Sequence, residues 1–352
     1  MRIILVAGDY HADYACVLLT LELESLGANC LLVRSPPAPG QRTPYEAVEG
    51  ISSLQLTPEQ LLCQSMLLEA DALGVFLSGA SLESFVTSYR QICAQHNLKP
   101  AVVFSGPVFP LSGDAMVADL LPRLSCDLLC LHGERQLAEY ADLTRYWPLP
   151  APAALALGFW FMPESPPDGG LLGHQETQQA HTLVVLAQAG LPSPIGSQVQ
   201  MLRLLAGLAE AAPHWRVLIQ RDHTSESGKP WLSVKQGKPK KIPANLTFGA
   251  VENLPLILGR CSACLTLSSP WILTAMAWGR SCVVMGDHGI RTDHGSAMFF
   301  GSGVIGRLNG IGHLDSLLNP PPPNRDWLHG LGWAIDDGPR LLLRTLSELT
   351  RR

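Results

Sequence analysis

Two adjacent serines, Ser268 and Ser269, stand between an apolar run and a helical segment, and their types and spacing suit anion binding. The apolar run, residues 263–267, predicts a strand, and Pro270 is typical of the first position of a helix. The start of a helix carries unpaired backbone N–H groups and about half a positive charge, and serine hydroxyls add donors without bulk. We therefore predict that the two serines bind a diphosphate. The alternative is that Ser269 only caps its helix.

Arg221 is a second candidate for the same site. It follows the strand predicted at residues 216–220, and its guanidinium group can hold a phosphate through two hydrogen bonds. If the strands are parallel neighbours, Arg221 and Ser268 lie at the same edge of one sheet. The alternative is a surface arginine paired with Asp222 or Glu226.

Three more residues follow strands of this half of the chain. Gln188 and Gly190 come after the strand predicted at residues 182–187, and a glycine lets the backbone approach a ligand closely. A plain turn is the alternative there. Arg291 follows the strand predicted at residues 282–285, where we expect it to neutralise a diphosphate in place of a metal ion.

A metal site has little support in the sequence. His288 and His294 are six residues apart with aspartates beside them, but a loop of mixed charge is the better interpretation, and no D-x-D pair occurs. Cys261 and Cys264 form a C-x-x-C pair without a second pair or a histidine partner. We expect these cysteines to pack in the core and predict no metal ligands.

Asp9, His11 and Asp13 cluster after the first apolar run, residues 2–7. A histidine or a carboxylate can act as a general base, so these three are the catalytic candidates. The alternative is that Asp13 caps the first helix and His11 is solvated. Four residues at the ends of other predicted strands are expected to line the same side: Gly79, Ser105, Gly106 and His132.

Two series of alternating strands and helices must position these residues. The strands are nearly all apolar, which indicates parallel sheets covered by helices on both faces. We predict an α/β protein with a first domain at residues 1–155, a Pro- and Gly-rich linker at 156–180 and a second domain at 181–335. Residues 336–352 form a terminal helix, for which packing back on the first domain is expected.

Composition excludes several classes of protein. The chain has 352 residues, of which 47% are hydrophobic and 16% charged, with a net charge of −5. This excludes a disordered chain, a disulfide mini-protein and a coiled coil, and the acidic balance argues against nucleic acid as a partner. Asp9 and Asp13 come too early for a signal peptide, so we expect a cytoplasmic protein. The long uncharged windows 146–163 and 261–279 are interrupted by prolines or hydroxyl residues, so no transmembrane segment is expected.

The lysines are unevenly distributed. All but Lys99 fall in one segment: Lys229, Lys235, Lys238, Lys240 and Lys241. A solvated loop is the favoured interpretation. An anionic acceptor or peripheral contact with an acidic membrane surface is the alternative.

The serine pair, followed by Ala275, Gly279 and a hydrophobic strand, resembles the nucleotide-sugar signature of GT-B glycosyltransferases, and in particular an uncharacterised bacterial glycosyltransferase family. The resemblance implies two Rossmann-like domains facing a central cleft, with the acceptor on the first domain and the donor on the second. This chain departs from the pattern at two positions. Thr274 stands where many such enzymes have a glutamate that binds the ribose, and Ser281 stands where they have a proline.

The resemblance further implies metal-independent transfer of a sugar from a nucleotide-sugar to a glycan or another hydroxyl acceptor, in polysaccharide biosynthesis, with no cofactor besides the donor substrate. His11, Asp9 or Asp13 would be the catalytic base. The residues implied in donor binding are Gln188, Gly190, Arg221, Ser268, Ser269, Thr274 and Arg291. Two alternatives stay open: a nucleotide-sugar 2-epimerase or hydrolase, which needs no acceptor, and a non-catalytic GT-B binding or scaffold protein. The sequence leaves the sugar, the stereochemistry and the oligomeric state open.

Overall fold

A computed structural model gives the structure of the chain. It describes all residues except 37–49, 146–150, 164–165, 167–180, 189, 193–194, 223–241, 250–253, 293–294, 334 and 352, and except the side chains of 221–222. The chain divides into two compact units. The first contains Met1–Pro163 and Arg325–Arg352, and the second contains Glu164–Asn324. The first unit is therefore built from both ends of the chain. The linker predicted at residues 156–180 lies largely outside the described residues.

The first unit is built on a seven-stranded sheet. Its strands are β1 (Arg2–Ala7), β2 (Asn29–Arg34), β3 (Ser53–Gln55), β4 (Ala72–Phe76), β5 (Val102–Ser105), β6 (Leu128–Leu131) and β7 (Ala153–Ala156). All neighbouring strands are parallel, and their order is β3-β2-β1-β4-β5-β6-β7. All five residues of the central strand β4 are buried, as expected for a strand covered on both faces.

Five helices follow strands of this sheet: α1 (Tyr10–Ser25), α2 (Pro58–Leu62), α3 (Gly79–Gln95), α4 (Gly113–Arg123) and α5 (Glu134–Arg145). The first helix begins at Tyr10 because the Asp9 carboxylate accepts the N–H of Ala12 and caps it. From the sequence we predict one continuous helix over residues 58–69. In the structure that helix breaks after Leu62, since Gln64 adopts an extended backbone, and Ser65–Glu69 forms a 3-10 helix.

The second unit is built on a six-stranded sheet. Its strands are β8 (His181–Gln188), β9 (Trp215–Asp222), β10 (Leu246–Gly249), β11 (Ala263–Thr266), β12 (Ser281–Met285) and β13 (Ile305–Gly306). They are again all parallel, in the order β10-β9-β8-β11-β12-β13. Its helices are α6 (Ile195–Ala211), α7 (Leu254–Arg260) and α8 (Trp271–Ala277). The prediction of two α/β domains with parallel sheets is confirmed.

The chain ends in α9 (Arg325–Leu331) and α10 (Gly338–Arg351). Helix α9 packs on α5, and α10 packs on α1 and β5, so both helices belong to the first unit. The sequence analysis had placed residues 325–335 in the second domain. That assignment is wrong because the apolar side of α9, with Trp327 and Leu328 buried, is covered within the first unit.

Each unit has its own hydrophobic core. In the first, Phe85 and Tyr89 of α3 pack over the sheet, and the Tyr89 hydroxyl accepts the N–H of Ala101 at 2.7 Å. In the second, Trp215 of β9 is fully buried beneath α6, whose Leu205 belongs to the same cluster. Among the described residues, no helix is long and apolar enough to cross a membrane.

Candidate functional site

The sheet of the second unit reverses its strand order between β8 and β11. From β8 the chain continues through β9 to β10 on one side, while β11 and β12 extend the sheet on the other. In open parallel sheets, ligands bind at the carboxyl ends of the strands at such a reversal. Gln188 ends β8, and Ser268 follows β11 by two residues. The structure therefore brings these two predicted site residues together.

Gln188 and Ser268 are joined by two hydrogen bonds. The backbone N–H of Ser268 donates to Oε1 of Gln188 at 3.0 Å, and the Ser268 hydroxyl donates to the same oxygen at 2.8 Å. The sequence predicted that Ser268 would offer both groups to an anion. In the structure both are already used within the protein, so Ser268 holds Gln188.

Ser269 and Thr274 are buried hydroxyl residues just before and within α8. Ser269 is 0% exposed, and its backbone N–H donates to Oγ1 of Thr266 at 3.0 Å. The hydroxyls of Ser269 and Thr274 have no hydrogen-bond partner among the described residues. A buried polar group without a partner costs about 1–3 kcal/mol, so native proteins rarely keep one without a use. Ser269 is the stronger candidate for a ligand contact, because it precedes the helix.

The start of α8 differs from the expected anion site. The helix spans only Trp271–Ala277, and its capping residue is Pro270, which makes no side-chain cap. Ser269 therefore does not cap the helix, which removes the alternative interpretation of this serine. A helix of this length has a small dipole, so the side chains must supply most of the attraction for an anion.

The loop that carries Arg291 lies beside Ser268. Gly295 has φ of 73°, and a Cβ atom built on it would be 3.9 Å from Oγ of Ser268. The hydroxyl of Ser296 accepts the N–H of Arg291 at 2.9 Å and so closes the turn. The backbone of Arg291 is therefore fixed close to the serine pair, and its side chain is exposed.

Gly190 and Arg221 lie near the same end of β8 as Gln188. Gly190 has φ of 73°, a conformation that favours glycine, and no atom lies within 4 Å of where its Cβ would be. Arg221 pairs with Ala187 across β8 and β9, but its side chain lies outside the described residues. Both residues therefore lie at the sheet edge of Gln188.

The described residues hold no group of three His, Cys, Asp or Glu side chains arranged for a metal ion. Asp287 is used within the loop, where it accepts the N–H of Leu308 at 2.6 Å. His294 lies outside the described residues, as do the five clustered lysines. Cys261 is fully buried, and burial raises the pKa of its thiol to about 12, which agrees with core packing.

The first unit reverses its strand order between β1 and β4, and the three catalytic candidates follow β1. Asp9 is exposed and caps α1. His11 is only 9% exposed and contacts the ring of Phe109, with 5.3 Å between ring centroids. The alternative that His11 is solvated is therefore wrong, because an aromatic neighbour covers the imidazole.

Asp13 forms an ion pair that the sequence analysis missed. Its two carboxylate oxygens accept hydrogen bonds from Nε and Nη2 of Arg34, at 2.6 and 2.5 Å, and both side chains are buried. These hydrogen bonds raise the pKa of the Arg34 guanidinium above its ordinary value. Asp13 does not cap α1, which was the alternative. The position of Arg34 at the end of β2 was a signal in the sequence, since that strand neighbours β1.

His132 lies inside the first unit rather than on its surface. Its Nδ1 is 2.9 Å from the carbonyl oxygen of Gly158, its Nε2 is 3.1 Å from that of Pro107, and the ring stacks on Trp160. Burial lowers the pKa of His132 to about 4, although the carbonyl contacts oppose this shift. The imidazole is therefore neutral near pH 7, so only one of its two ring nitrogens carries a proton and donates to its carbonyl oxygen.

The other strand-end residues of the first unit are also engaged. The Ser105 hydroxyl donates to the carbonyl oxygen of Val75 and accepts a hydrogen bond from Arg123 at 3.1 Å. A Cβ on Gly106 would collide with the carbonyl oxygen of Cys130 at 1.9 Å, so this glycine permits a close backbone approach. Gly79 has φ of 52° and begins α3. The predicted acceptor side is thus largely saturated with internal contacts.

Solved structures share this architecture across the whole chain. UDP-GlcNAc 2-epimerase from Neisseria meningitidis, bound to UDP-GlcNAc, is 11% identical with a TM-score of 0.61, and the alignment covers 99% of this chain and 100% of the epimerase. UDP-GlcNAc 2-epimerase from Methanocaldococcus jannaschii is 11% identical with a TM-score of 0.59 over 99% and 100%. CalG4, the calicheamicin glycosyltransferase, is 13% identical with a TM-score of 0.53 over 100% and 98%. At these identities the similarity shows the fold, which is the GT-B type with two Rossmann-like domains.

Residues 5–335 match the family described as Putative glycosyltransferase (DUF6716). Because this match spans most of the chain, the protein belongs to that family. No curated protein matches the chain. The family and the GT-B neighbours together support a glycosyltransferase-like enzyme, as the resemblance of the serine segment implied.

Proposed function

We propose that the protein is a metal-independent glycosyltransferase that moves a sugar from a nucleotide-sugar to a hydroxyl of a glycan or another acceptor. The observation that carries this proposal is the polar cluster at the β8–β11 reversal, where Ser268 holds Gln188 and the next residue, Ser269, has a buried hydroxyl without a partner among the described residues. Membership of the glycosyltransferase family supports it. The Neisseria meningitidis epimerase, which has a similar fold, is bound to UDP-GlcNAc, and this supports a nucleotide-sugar as the ligand.

The donor's diphosphate is proposed to lie at this edge of the second unit. Ser269 supplies a hydroxyl donor, and Gly190 leaves room for the backbone to approach the ligand. Arg221 and Arg291 are assigned the positive charge that stabilises the leaving diphosphate, the role that a metal ion plays elsewhere. Thr274 replaces the glutamate of related enzymes, so we assign it a weaker contact with the ribose.

The catalytic base is proposed to be His11 or Asp9. The acceptor oxygen forms a bond to the anomeric carbon, the bond from that carbon to the diphosphate breaks, and the base takes the proton of the acceptor hydroxyl. Of the three predicted residues, Asp13 is the least suited, because both of its oxygens are held by Arg34. We assign Asp13 a positioning role for the start of α1.

We place the reaction in the cytoplasm. None of the nine cysteines forms a disulfide, and eight of them are buried. Nine cysteines without a disulfide suit a reducing compartment such as the cytoplasm.

Calorimetry with UDP-, GDP-, dTDP- and CMP-sugars tests donor binding. We expect one class to bind, and Ser269→Ala to weaken it by about five- to tenfold, the equivalent of roughly one hydrogen bond. Ser316→Ala removes an exposed hydroxyl of the same unit and should leave the affinity unchanged. Binding of none of the four classes by folded protein contradicts the proposal.

A product assay separates the remaining activities. Incubation of the preferred donor without an acceptor should leave it intact, whereas release of free sugar or an epimer identifies a hydrolase or a 2-epimerase, whose fold this chain shares. His11→Ala and Asp9→Ala should each lower transfer. Unchanged activity in cells after both substitutions indicates a scaffold rather than an enzyme.

A further inference from the structure

The contact between Gln188 and Ser268 fixes the orientation of the Gln188 amide. A backbone N–H can only donate, so the Gln188 atom 3.0 Å from the Ser268 nitrogen must be the carbonyl oxygen. Oxygen and nitrogen of a glutamine side chain are usually assigned from their partners, and here the partner leaves one choice. The Ser268 hydroxyl donates to the same oxygen at 2.8 Å.

This arrangement determines what Gln188 can offer to a ligand. With Oε1 held by Ser268, the NH₂ group projects from the other side of the same planar amide. Its two N–H groups are donors that Ser268 cannot use. Gln188 is half-buried at the end of β8, so the NH₂ group belongs to a side chain that is held by protein yet reachable from solvent.

The groups around Gln188 indicate which kind of ligand oxygen would accept a hydrogen bond from this NH₂ group. Helix α6 follows β8, so it begins at this edge of the sheet, and its first N–H groups favour negative charge. The hydroxyl of Ser269 is 0% exposed and has no partner among the described residues, and it belongs to the residue directly after Ser268. An anionic oxygen can accept from both Gln188 and Ser269.

The geometry points to Gln188 as the residue that donates from Nε2 to a diphosphate oxygen of the donor, with Ser268 as the positioning residue that fixes its amide. This inference rests on the proposed function and changes the role of one residue within it. Ser268 does not bind the anion itself. Ser268 aligns the NH₂ group of Gln188 before the ligand binds, which lowers the entropy lost on binding.

Gln188→Glu is the sharpest variant, because a carboxylate oxygen can still accept both hydrogen bonds from Ser268 while the NH₂ donors are lost and a negative charge is added. We expect the Kd for UDP, measured by calorimetry, to rise by at least about tenfold. Gln188→Met removes the donors without charge and should raise it by about fivefold. Gln200→Glu adds the same charge on an exposed position of α6 and should leave the Kd within about twofold of wild type.

The positioning role has its own readout. The side-chain NH₂ signals of Gln188 in a ¹H–¹⁵N spectrum can be assigned by their loss in Gln188→Glu. Ser268→Ala should shift or broaden these NH₂ signals and raise the Kd for UDP by about threefold, because one of the two hydrogen bonds that hold Gln188 is lost. Ser268→Thr keeps the hydroxyl and should restore both measurements.

The outcomes separate this inference from the proposed function. If wild type binds UDP or another nucleoside diphosphate and Gln188→Glu binds it equally well, the inference is overturned while the proposed function stands. Tighter binding by Gln188→Met also overturns it, because Gln188 would then block the site. If wild type binds neither UDP, GDP, dTDP nor inorganic pyrophosphate, the proposed function and the inference both fail.

Discussion

The two units reverse their strand order in the same way, yet the polar groups at the two reversals differ. At the β1–β4 reversal the carboxylate of Asp13 is paired with Arg34, and nearby Ser105 has both a donor and an acceptor partner. At the β8–β11 reversal the hydroxyls of Ser269 and Thr274 are buried without a partner among the described residues. The first edge is therefore built around a buried ion pair, whereas the second keeps two buried hydroxyls without a partner among the described residues.

This difference indicates how each unit contributes. A saturated network makes a rigid edge whose shape is set before any ligand binds. Unpaired buried hydroxyls cost stability, so they are expected where a ligand supplies the missing partner. The second unit therefore has the features of a ligand site, whereas the first has those of a framework that holds Asp9 and His11 in place.

Breaking the buried ion pair should have the largest effect on stability. Asp13→Asn leaves the guanidinium of Arg34 buried without a counter-charge, and we expect a loss of about 3 kcal/mol in the free energy of unfolding. Urea unfolding measures this loss. Asp142→Asn, which breaks the exposed pair with Arg145, should cost less than about 0.5 kcal/mol. Equal losses in the two variants contradict the assignment of Asp13 to the framework.

The next effect is a pH dependence from His132. Its pKa is about 4 in the folded protein, against an ordinary value of 6.5, so the unfolded chain binds a proton between these values and the folded protein does not. Stability should fall as the pH decreases from 6.5 to 4, by about 3 kcal/mol in all, and level off below. His132→Gln should lack this part of the pH dependence in unfolding experiments. A slope that is the same in both proteins would show that His132 titrates normally.

A pair of serine variants compares the two edges directly. Ser105→Ala removes a hydroxyl with two partners and should lower the free energy of unfolding by about 1–3 kcal/mol. Ser269→Ala removes a hydroxyl of the same size that has no partner among the described residues, and it should leave the stability unchanged or raise it slightly in the absence of ligand. A loss of the same size for Ser269→Ala would mean that its hydroxyl has a partner and that the two edges do not differ.

The smallest expected effect comes from a matched pair of buried threonines in helices. Thr20 and Thr274 are both 0% exposed. The Thr20 hydroxyl donates to the carbonyl oxygen of Cys16 at 2.7 Å, whereas the Thr274 hydroxyl has no partner in the described part of the chain. Thr20→Val should lower the free energy of unfolding by about 1 kcal/mol. Thr274→Val should be neutral or slightly stabilising in thermal unfolding without ligand. Destabilisation by Thr274→Val beyond that of Thr20→Val would contradict the comparison.

The long buried strands were the most predictable part of the fold, whereas the short strands β3, β7 and β13 and the helix α9 were not predicted. Apolar runs such as residues 2–7 are buried on both faces, so the strands that they form can be recognised in the sequence as hydrophobic runs. Helix α9, with seven residues, has too few turns for a periodic pattern, and its assignment depends on α5, which is distant in the chain. The break of the predicted helix at Leu62 is a local backbone change that periodicity does not report.

Site residues were predicted by their places at strand ends, but their roles were not. The sequence placed Gln188 and Ser268 at one edge because parallel strands end together. Their mutual hydrogen bonds depend on β8 and β11 being neighbours, although 80 residues separate the two side chains. Asp13 shows the same limit. An aspartate can act as a base, cap a helix or form an ion pair, and the position of Arg34 in the fold determines which of these roles Asp13 has.

The sequence by itself determined the class of fold, the two-domain plan and the edge at which chemistry is possible, because hydrophobic patterning and strand ends are local properties of the chain. Tertiary structure decided which strands are neighbours, which polar groups find partners and which hydroxyls are left without one among the described residues. The physical reason is that a hydrogen bond or an ion pair depends on distances of about 3 Å between groups far apart in sequence, and only the packed fold sets those distances.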